Sequence, residues 1–293
     1  MTIWTLGSIN IDHVYRLPHL PQPGETLAAL DYSTGLGGKG ANQSVAAARA
    51  GARVRLIGAI GPDGGQVLAR LVALGVDCAA VARMQTATGH AIILLDAASE
   101  NAIVIHPGAN RAIAPQAAVA ALDAAVPGDT LLLQNETSAQ AETAEAAAIR
   151  GLRVVYSAAP FELAAVRAVL PHVTTLALNA VEAGQLTAAL GCELSDLPVA
   201  EVLVTHGAEG ADWHDLGAGR VIYQPAFAVS PVDTTGAGDT FAGYFAAARD
   251  QGFGPAAALR LAAGAAALKV TRAGAAEAIP ARAEVEAFLE QRA

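Results

Sequence analysis

The chain has 293 residues, 53% of them hydrophobic and 15% charged, enough apolar content for a large buried core and too ordered a composition for a disordered chain. Its formal net charge of −9 comes without any run of Lys or Arg, which excludes the electrostatic footprint of a nucleic-acid or anionic-membrane binder. The two cysteines, Cys78 and Cys192, have neither zinc nor redox-pair spacing and read as free thiols of a cytoplasmic protein.

In chain order, Met1–Gly7 lacks the basic and long apolar regions of a secretory signal and reads as a first strand. Asn10 and Asp12 follow it in alternation, which puts both side chains on one face of an extended segment. Two segments then break the strand–helix rhythm: one rich in Pro, near 13–35, and one near 87–107, where Ala91–Leu95 and Ala102–Ile105 look like a hairpin. They predict a small β-sheet lid inserted into the main domain. Runs at Val54–Ile60, Thr130–Leu133, Leu152–Tyr156, Thr174–Leu178 and Val202–Thr205 read as buried strands, separated by Ala-rich helices such as Ala41–Ala50 and Ala139–Arg150. The alternation predicts one α/β domain over 1–293, a three-layer, mostly parallel sheet with helices on both faces. Gly210–Gln224 reads as a further hairpin. Phe241–Val270 is apolar but broken by Arg249, Asp250, Arg260 and Lys269, so it reads as two helices rather than a membrane span.

The sharpest motif is Asp233-Thr234-Thr235-Gly236-Ala237-Gly238-Asp239-Thr240, directly before the first of those helices. Its glycines let backbone amides converge at a helix start, where orphan N–H groups and the helix dipole favour an anion. Asp239 is then placed to receive a proton from an attacking hydroxyl. Read alone, the same run is also an ordinary glycine turn with capping aspartates. Upstream, Gly35-Leu36-Gly37-Gly38-Lys39-Gly40-Ala41-Asn42-Gln43 brings backbone close to a small ligand, and Lys39 and Asn42 offer it donors. With no Ser or Thr after Lys39, it is not a P-loop. Glu136 ends an apolar strand at the sheet's carboxyl edge, where ligands collect in open α/β folds. Asn179-Ala180-Val181-Glu182 follows another strand and reads equally as a capping box.

In these motifs and their order, from Gly7 to Pro280, the chain resembles the ribokinase-like (PfkB) family of carbohydrate kinases. The resemblance implies Asp239 as catalytic base, with the amides of Gly236, Ala237 and Gly238 as anion hole. It implies a sugar site of Asn10, Asp12, Gly38, Lys39, Asn42, Glu136 and Asp239. ATP is expected at Asn179, Glu182, Thr205, His206, Gly207, Glu209, Gly210, Gly238 and Ala263, with Asn179 and Glu182 organising Mg2+ and the phosphates. A K+ site is implied at Asp233, Thr235, Lys269, Arg272, Gly274 and Ala278, although Ala278 lacks the hydroxyl common there and Lys269 brings an ammonium. Within the family, Gly37–Gln43 and His106–Asn110 point to phosphorylation of D-ribose to ribose 5-phosphate. Other pentoses, ketohexoses, sugar acids and nucleosides stand as alternative acceptors, and a non-catalytic sugar binder or a Rossmann oxidoreductase as alternative functions. A homodimer through the lid is expected.

Overall fold

The computed structural model describes residues 1–96 and 100–292, and turns the strand–helix alternation into a sandwich of layers. Residues 97–99, inside the second expected lid segment, and residue 293 lie outside the described residues. The strands are β1 (Thr2–Leu6), β2 (Asn10–Arg16), β3 (Asp31–Gly37), β4 (Arg53–Ile60), β5 (Asp77–Arg83), β6 (Gly89–Leu95), β7 (Asn101–His106), β8 (Thr130–Gln134), β9 (Arg153–Ser157), β10 (Thr175–Asn179), β11 (Glu201–Thr205), β12 (Gly210–Asp215) and β13 (Arg220–Pro225). The helices are α1 (Lys39–Arg49), α2 (Gly65–Ala73), α3 (Pro115–Ala121), α4 (Gln140–Ile149), α5 (Leu163–Val169), α6 (Ala180–Leu190), α7 (Ala237–Asp250), α8 (Pro255–Val270) and α9 (Arg282–Glu290).

Nine strands form the main sheet in the order β13-β12-β11-β10-β9-β8-β1-β4-β5. From β11 to β5 all neighbours are parallel, and the hairpin β12–β13 is added antiparallel at one edge. Strands buried on both faces read as nearly unbroken apolar runs, and alternate residues serve opposite layers. Ile3, Leu132, Val155 and Leu203 join α1, α7 and α8 in one core. Trp4, Leu131, Leu133 and Val154 join α3 to α6 in the other.

The second sheet, in the order β3-β2-β6-β7, is the lid expected from the two irregular segments. Its halves are hairpins far apart in sequence, joined by the parallel pairing of β2 with β6.

Two features of this layout locate a site. β1 lies between β4 and β8, so the chain reverses its direction of travel across the sheet there, and open α/β sheets leave a crevice at the carboxyl ends of such strands. Helix α7 has 11 of its 14 residues buried, and it approaches α1 closely at Gly243. A Cβ on Gly243 would lie 2.5 Å from both the Ala46 Cβ and the Gln43 carbonyl oxygen of α1. One turn earlier on the same face of α7 is Asp239.

Candidate active site

The crevice at β1 is built on backbone contact. A Cβ on Gly7 would sit 2.4 Å from Gly40 Cα, and one on Gly40 would sit 2.3 Å from Gly7 Cα. This proximity lets the loop after β1 cap α1, whose first amides lack helical partners. Ala41 N–H donates to the Ser8 carbonyl (2.9 Å), Gly40 N–H to Ser8 Oγ (3.2 Å) and Lys39 N–H to Glu136 Oε2 (3.1 Å). Ser8 Oγ in turn donates to Glu136 Oε2. Glu136, expected as a ligand contact, therefore has one oxygen committed to holding the Gly38–Lys39 turn, where its negative charge also suits the helix dipole. Gly38 turns with φ 93°, and a Cβ there would meet the Ser8 carbonyl at 2.8 Å.

Asp239 meets this cap from the opposite side. Its two carboxylate oxygens accept hydrogen bonds from Asn42 Nδ2 and Gln43 Nε2, each at 3.0 Å. Gln43 is itself held by Gln134 Nε2 at 2.7 Å. The carboxylate is thereby oriented by α1 and β8 together. Lys39 lines the same small polar cleft. Its pKa is raised, first by the charge of Asp239, against the opposing effect of burial and with help from Glu136 and Glu182.

On the lid side, Asn10 is buried, and its Oδ1 accepts from Asn110 Nδ2 at 2.8 Å, which leaves its own amide to donate. Asn110 also ties both backbone groups of Ile9. Asp12 packs against Gly37, where any Cβ would overlap its carboxyl group. Burial, then the charges of Glu136 and Glu277, push its pKa up to about 7. A carboxyl that holds its proton more tightly when folded makes the protein less stable as pH rises from its unfolded value, 3.8, to about 7. Asp12→Asn is therefore expected to melt about 5 °C above wild type at pH 8, with the gap closing as pH falls towards 4. Equal gaps at both pH values in thermal scans would refute the buried-carboxyl reading.

Beyond Asp239 two hollows meet at Thr205, Thr234, Ala237, Gly238 and Phe241. The polar one, about 170 Å³, also holds Lys39, Asn179, Glu182 and Asp239. The apolar one, about 370 Å³, runs between the hairpin edge and α8, past Gly207, Gly210, Phe227, Val229, Ala263 and Val270. Such a pair suits a ligand with a flat apolar end and an anionic end.

Several expected residues sit differently. His206 turns its ring onto Asp212 (2.9 Å), and Glu209 points to solvent, so neither lines the apolar hollow. Ala237 N–H donates to the Thr234 carbonyl (3.1 Å), closing a turn; of the three amides expected as anion hole, those of Gly236 and Gly238 remain free of that bond. Gly236 takes φ 72° and starts α7 with no side-chain cap, so neither aspartate serves as N-cap. Asn179 and Glu182 do form a reciprocal capping box. Glu182 still borders the polar hollow, and burial raises its pKa. One carboxylate beside a phosphate-sized hollow fits Mg2+, which binds through one or two carboxylates and substrate phosphates. Among the described residues no cluster of three or more His, Cys, Asp or Glu could hold a metal by itself.

The K+ site does not survive the geometry. Asp233 Oδ1 and Oδ2 accept the amides of Thr235 and Gly274, both at 2.9 Å. The Asp233 carbonyl accepts the ammonium of Lys269, also at 2.9 Å. Burial works against an ionised Asp233, but those amides and the Lys269 charge hold its pKa low. Lys269 itself brings a positive charge, the Lys269 carbonyl already accepts Arg272 N–H, and Ala278 offers no side-chain oxygen. A metal cation there would face a resident cation.

Gln43, Asn110 and Gln134 stand within sequence motifs or strand ends that give none of them a role of its own. Their signal was a buried polar residue amid alanines or at a strand end, legible only once α1, β8 and the lid are known to converge.

A model of the pfkB family, described as carbohydrate kinases, matches residues 2–282. The chain is 37% identical to a ribokinase of Haemophilus influenzae, over 99% of this chain and 98% of the relative. It is 36% identical to a ribokinase of Bacillus subtilis, over 98% and 99%. The structure of Arabidopsis thaliana ribokinase complexed with ribose and ATP superposes with a TM-score of 0.86 at 30% identity, covering 98% of each chain.

Proposed function

The chain belongs to the pfkB family of carbohydrate kinases, and we propose that it transfers the terminal phosphoryl group of ATP to the primary hydroxyl of D-ribose, giving ribose 5-phosphate. It is an ATP-dependent sugar kinase by family and by near-full-length identity to ribokinases. The observation that carries this reading is the Asp239 carboxylate, oriented by Asn42 and Gln43, at the border of a polar hollow that opens into an apolar one.

In this reading Asn10, Asp12, Lys39 and Glu136 hold the sugar hydroxyls, and the lid excludes water that would otherwise take the phosphoryl group. The adenine lies against Phe227, Val229 and Ala263, and the phosphates run to Gly236 and Gly238. An alcohol is too weak an acid to ionise first, so Asp239 aligns the hydroxyl and takes its proton late in a loose transition state. The Gly236 and Gly238 amides, with Lys39, stabilise charge developing on the equatorial oxygens. Mg2+, held by Glu182 and the phosphates, would neutralise phosphate charge. A cytoplasmic homodimer through the lid belongs to the same reading, supported by the exposure of Ile103, Val104 and Ile105 on the edge strand β7. No helix among the described residues is long and apolar enough to cross a membrane.

The test is ADP release from Mg-ATP with a panel of pentoses, ketohexoses, sugar acids and nucleosides. Ribose is expected to give the highest kcat/KM; a higher value for another acceptor would replace ribose and leave the kinase in place.

A further inference from the structure

Lys269 is the most anomalous residue of the chain. Lysine is among the side chains least often buried without a partner, yet Lys269, near the end of α8, has no exposed surface. Its ammonium donates to the main-chain carbonyl of Asp233, the residue that opens the Asp233–Gly238 loop. No step of the mechanism above uses it.

Its placement is specific. Asp233 is gripped from every side: its amide and that of Val232 donate to the Val270 carbonyl, and its carboxylate accepts Thr235 and Gly274. Only its carbonyl lacks a backbone partner among these bonds, and Lys269 supplies one. The loop so anchored leads within three residues to Gly236, whose φ of 72° aims the start of α7 at the polar hollow. Removing the ammonium would take the side-chain donor from the half-buried Asp233 carbonyl and leave the Asp233 carboxylate without its nearby cation.

We propose that Lys269 is a covalently tethered replacement for a monovalent metal ion: its ammonium fixes the floor of the Asp233–Gly238 loop, so this enzyme needs no potassium. The inference rests on the phosphoryl-transfer reading of that loop. Lys269 is a positioning residue, acting through Asp233 on the amides of Gly236 and Gly238 rather than on substrate. Its loss therefore falls on kcat, where the loop meets developing charge, and spares Asn10, Asp12, Lys39 and Glu136, which stand on or just after other elements.

The experiment compares wild type, Lys269→Met and Lys269→Ala in potassium chloride and in tetramethylammonium chloride at equal ionic strength. Wild-type turnover is expected to agree within about twofold between the salts, because general screening is matched. Lys269→Met, which keeps the bulk and loses the charge, is expected to lose about 10- to 100-fold in kcat with ribose KM unchanged. Lys269→Ala, which opens space beside Asp233, is expected to regain activity with potassium and not with tetramethylammonium, a rescue that a purely packing role would not give. In crystals soaked with rubidium chloride, anomalous scattering is expected beside Asp233 in Lys269→Ala and absent there in wild type. The rubidium arm needs no sugar, so it decides the question even if ribose proves not to be the acceptor. Rubidium beside Asp233 in wild type, strong potassium activation of wild type, or full turnover by Lys269→Met would each overturn the proposal.

Discussion

Asp239→Asn is expected to lose about 10²- to 10⁴-fold in kcat while binding ADP and ribose with near wild-type affinity. The amide keeps the shape of the carboxylate but cannot take the hydroxyl proton, so the loss falls on the chemical step. Two donors now point at the side chain, from Asn42 and Gln43, and an incoming NH2 would confront one of them. The structure contains the remedy: Asn42 Oδ1 is buried with no partner, so turning the Asn42 amide over presents an acceptor to the substituted side chain and leaves the fold intact. Single-turnover rates and calorimetric affinities separate the two effects. Turnover within tenfold of wild type would remove Asp239 as the base.

Gly40→Ala is expected to be strongly damaging for a change of a single methyl group. The new Cβ would lie 2.3 Å from backbone atoms of Gly7, and backbone cannot swing aside as a side-chain end can. Relief requires β1 and α1 to separate, which breaks the Ser8 cap of α1 and carries Asn42 and Gln43 away from Asp239. Overpacking typically costs about 1–3 kcal/mol, and a clash between two main chains belongs at or above the upper end. The expected outcome is a melting temperature lower by about 10 °C, with activity lost even in the folded fraction. Gly184→Ala serves as control: its Cβ meets nothing within 4 Å, and replacing a mid-helix glycine of α6 should stabilise by up to about 1 kcal/mol. Equal melting of Gly40→Ala and wild type would show that the contact is looser than described.

The architecture was legible because parallel strands buried on both faces advertise themselves as apolar runs, and because proline and a period-2 pattern marked the lid. The hairpins of the lid were readable one by one. Their junction was not: the β2–β6 pairing joins segments about eighty residues apart, and no local pattern encodes it. The same distinction holds at the site. Asp239 and the glycines around it stand in one continuous run, whereas Gln134, Gln43 and Asn110 act only through neighbours distant in sequence. The loop that carries His206 and Glu209 borders the hollow through Thr205, Gly207, Ala208 and Gly210, while His206 turns its ring onto Asp212 and Glu209 faces solvent. For Lys269 the sequence showed the charge, and its direction awaited the packing of α8.

The way β2 leaves the main sheet sets how the lid can behave. Three residues separate β1 from β2; Ser8 is spent on capping α1, and Asn110 clamps Ile9 by both backbone groups and Asn10 by its side chain. The cover is thus a cantilever with a built-in root rather than a door on a hinge. Its compliance lies in the outer span, towards Arg16, Asp31 and Leu95, while the root that carries Asn10 stays in register with the helix that aims the base. A flexing tip can admit and release a small guest without disturbing the alignment on which the chemistry depends.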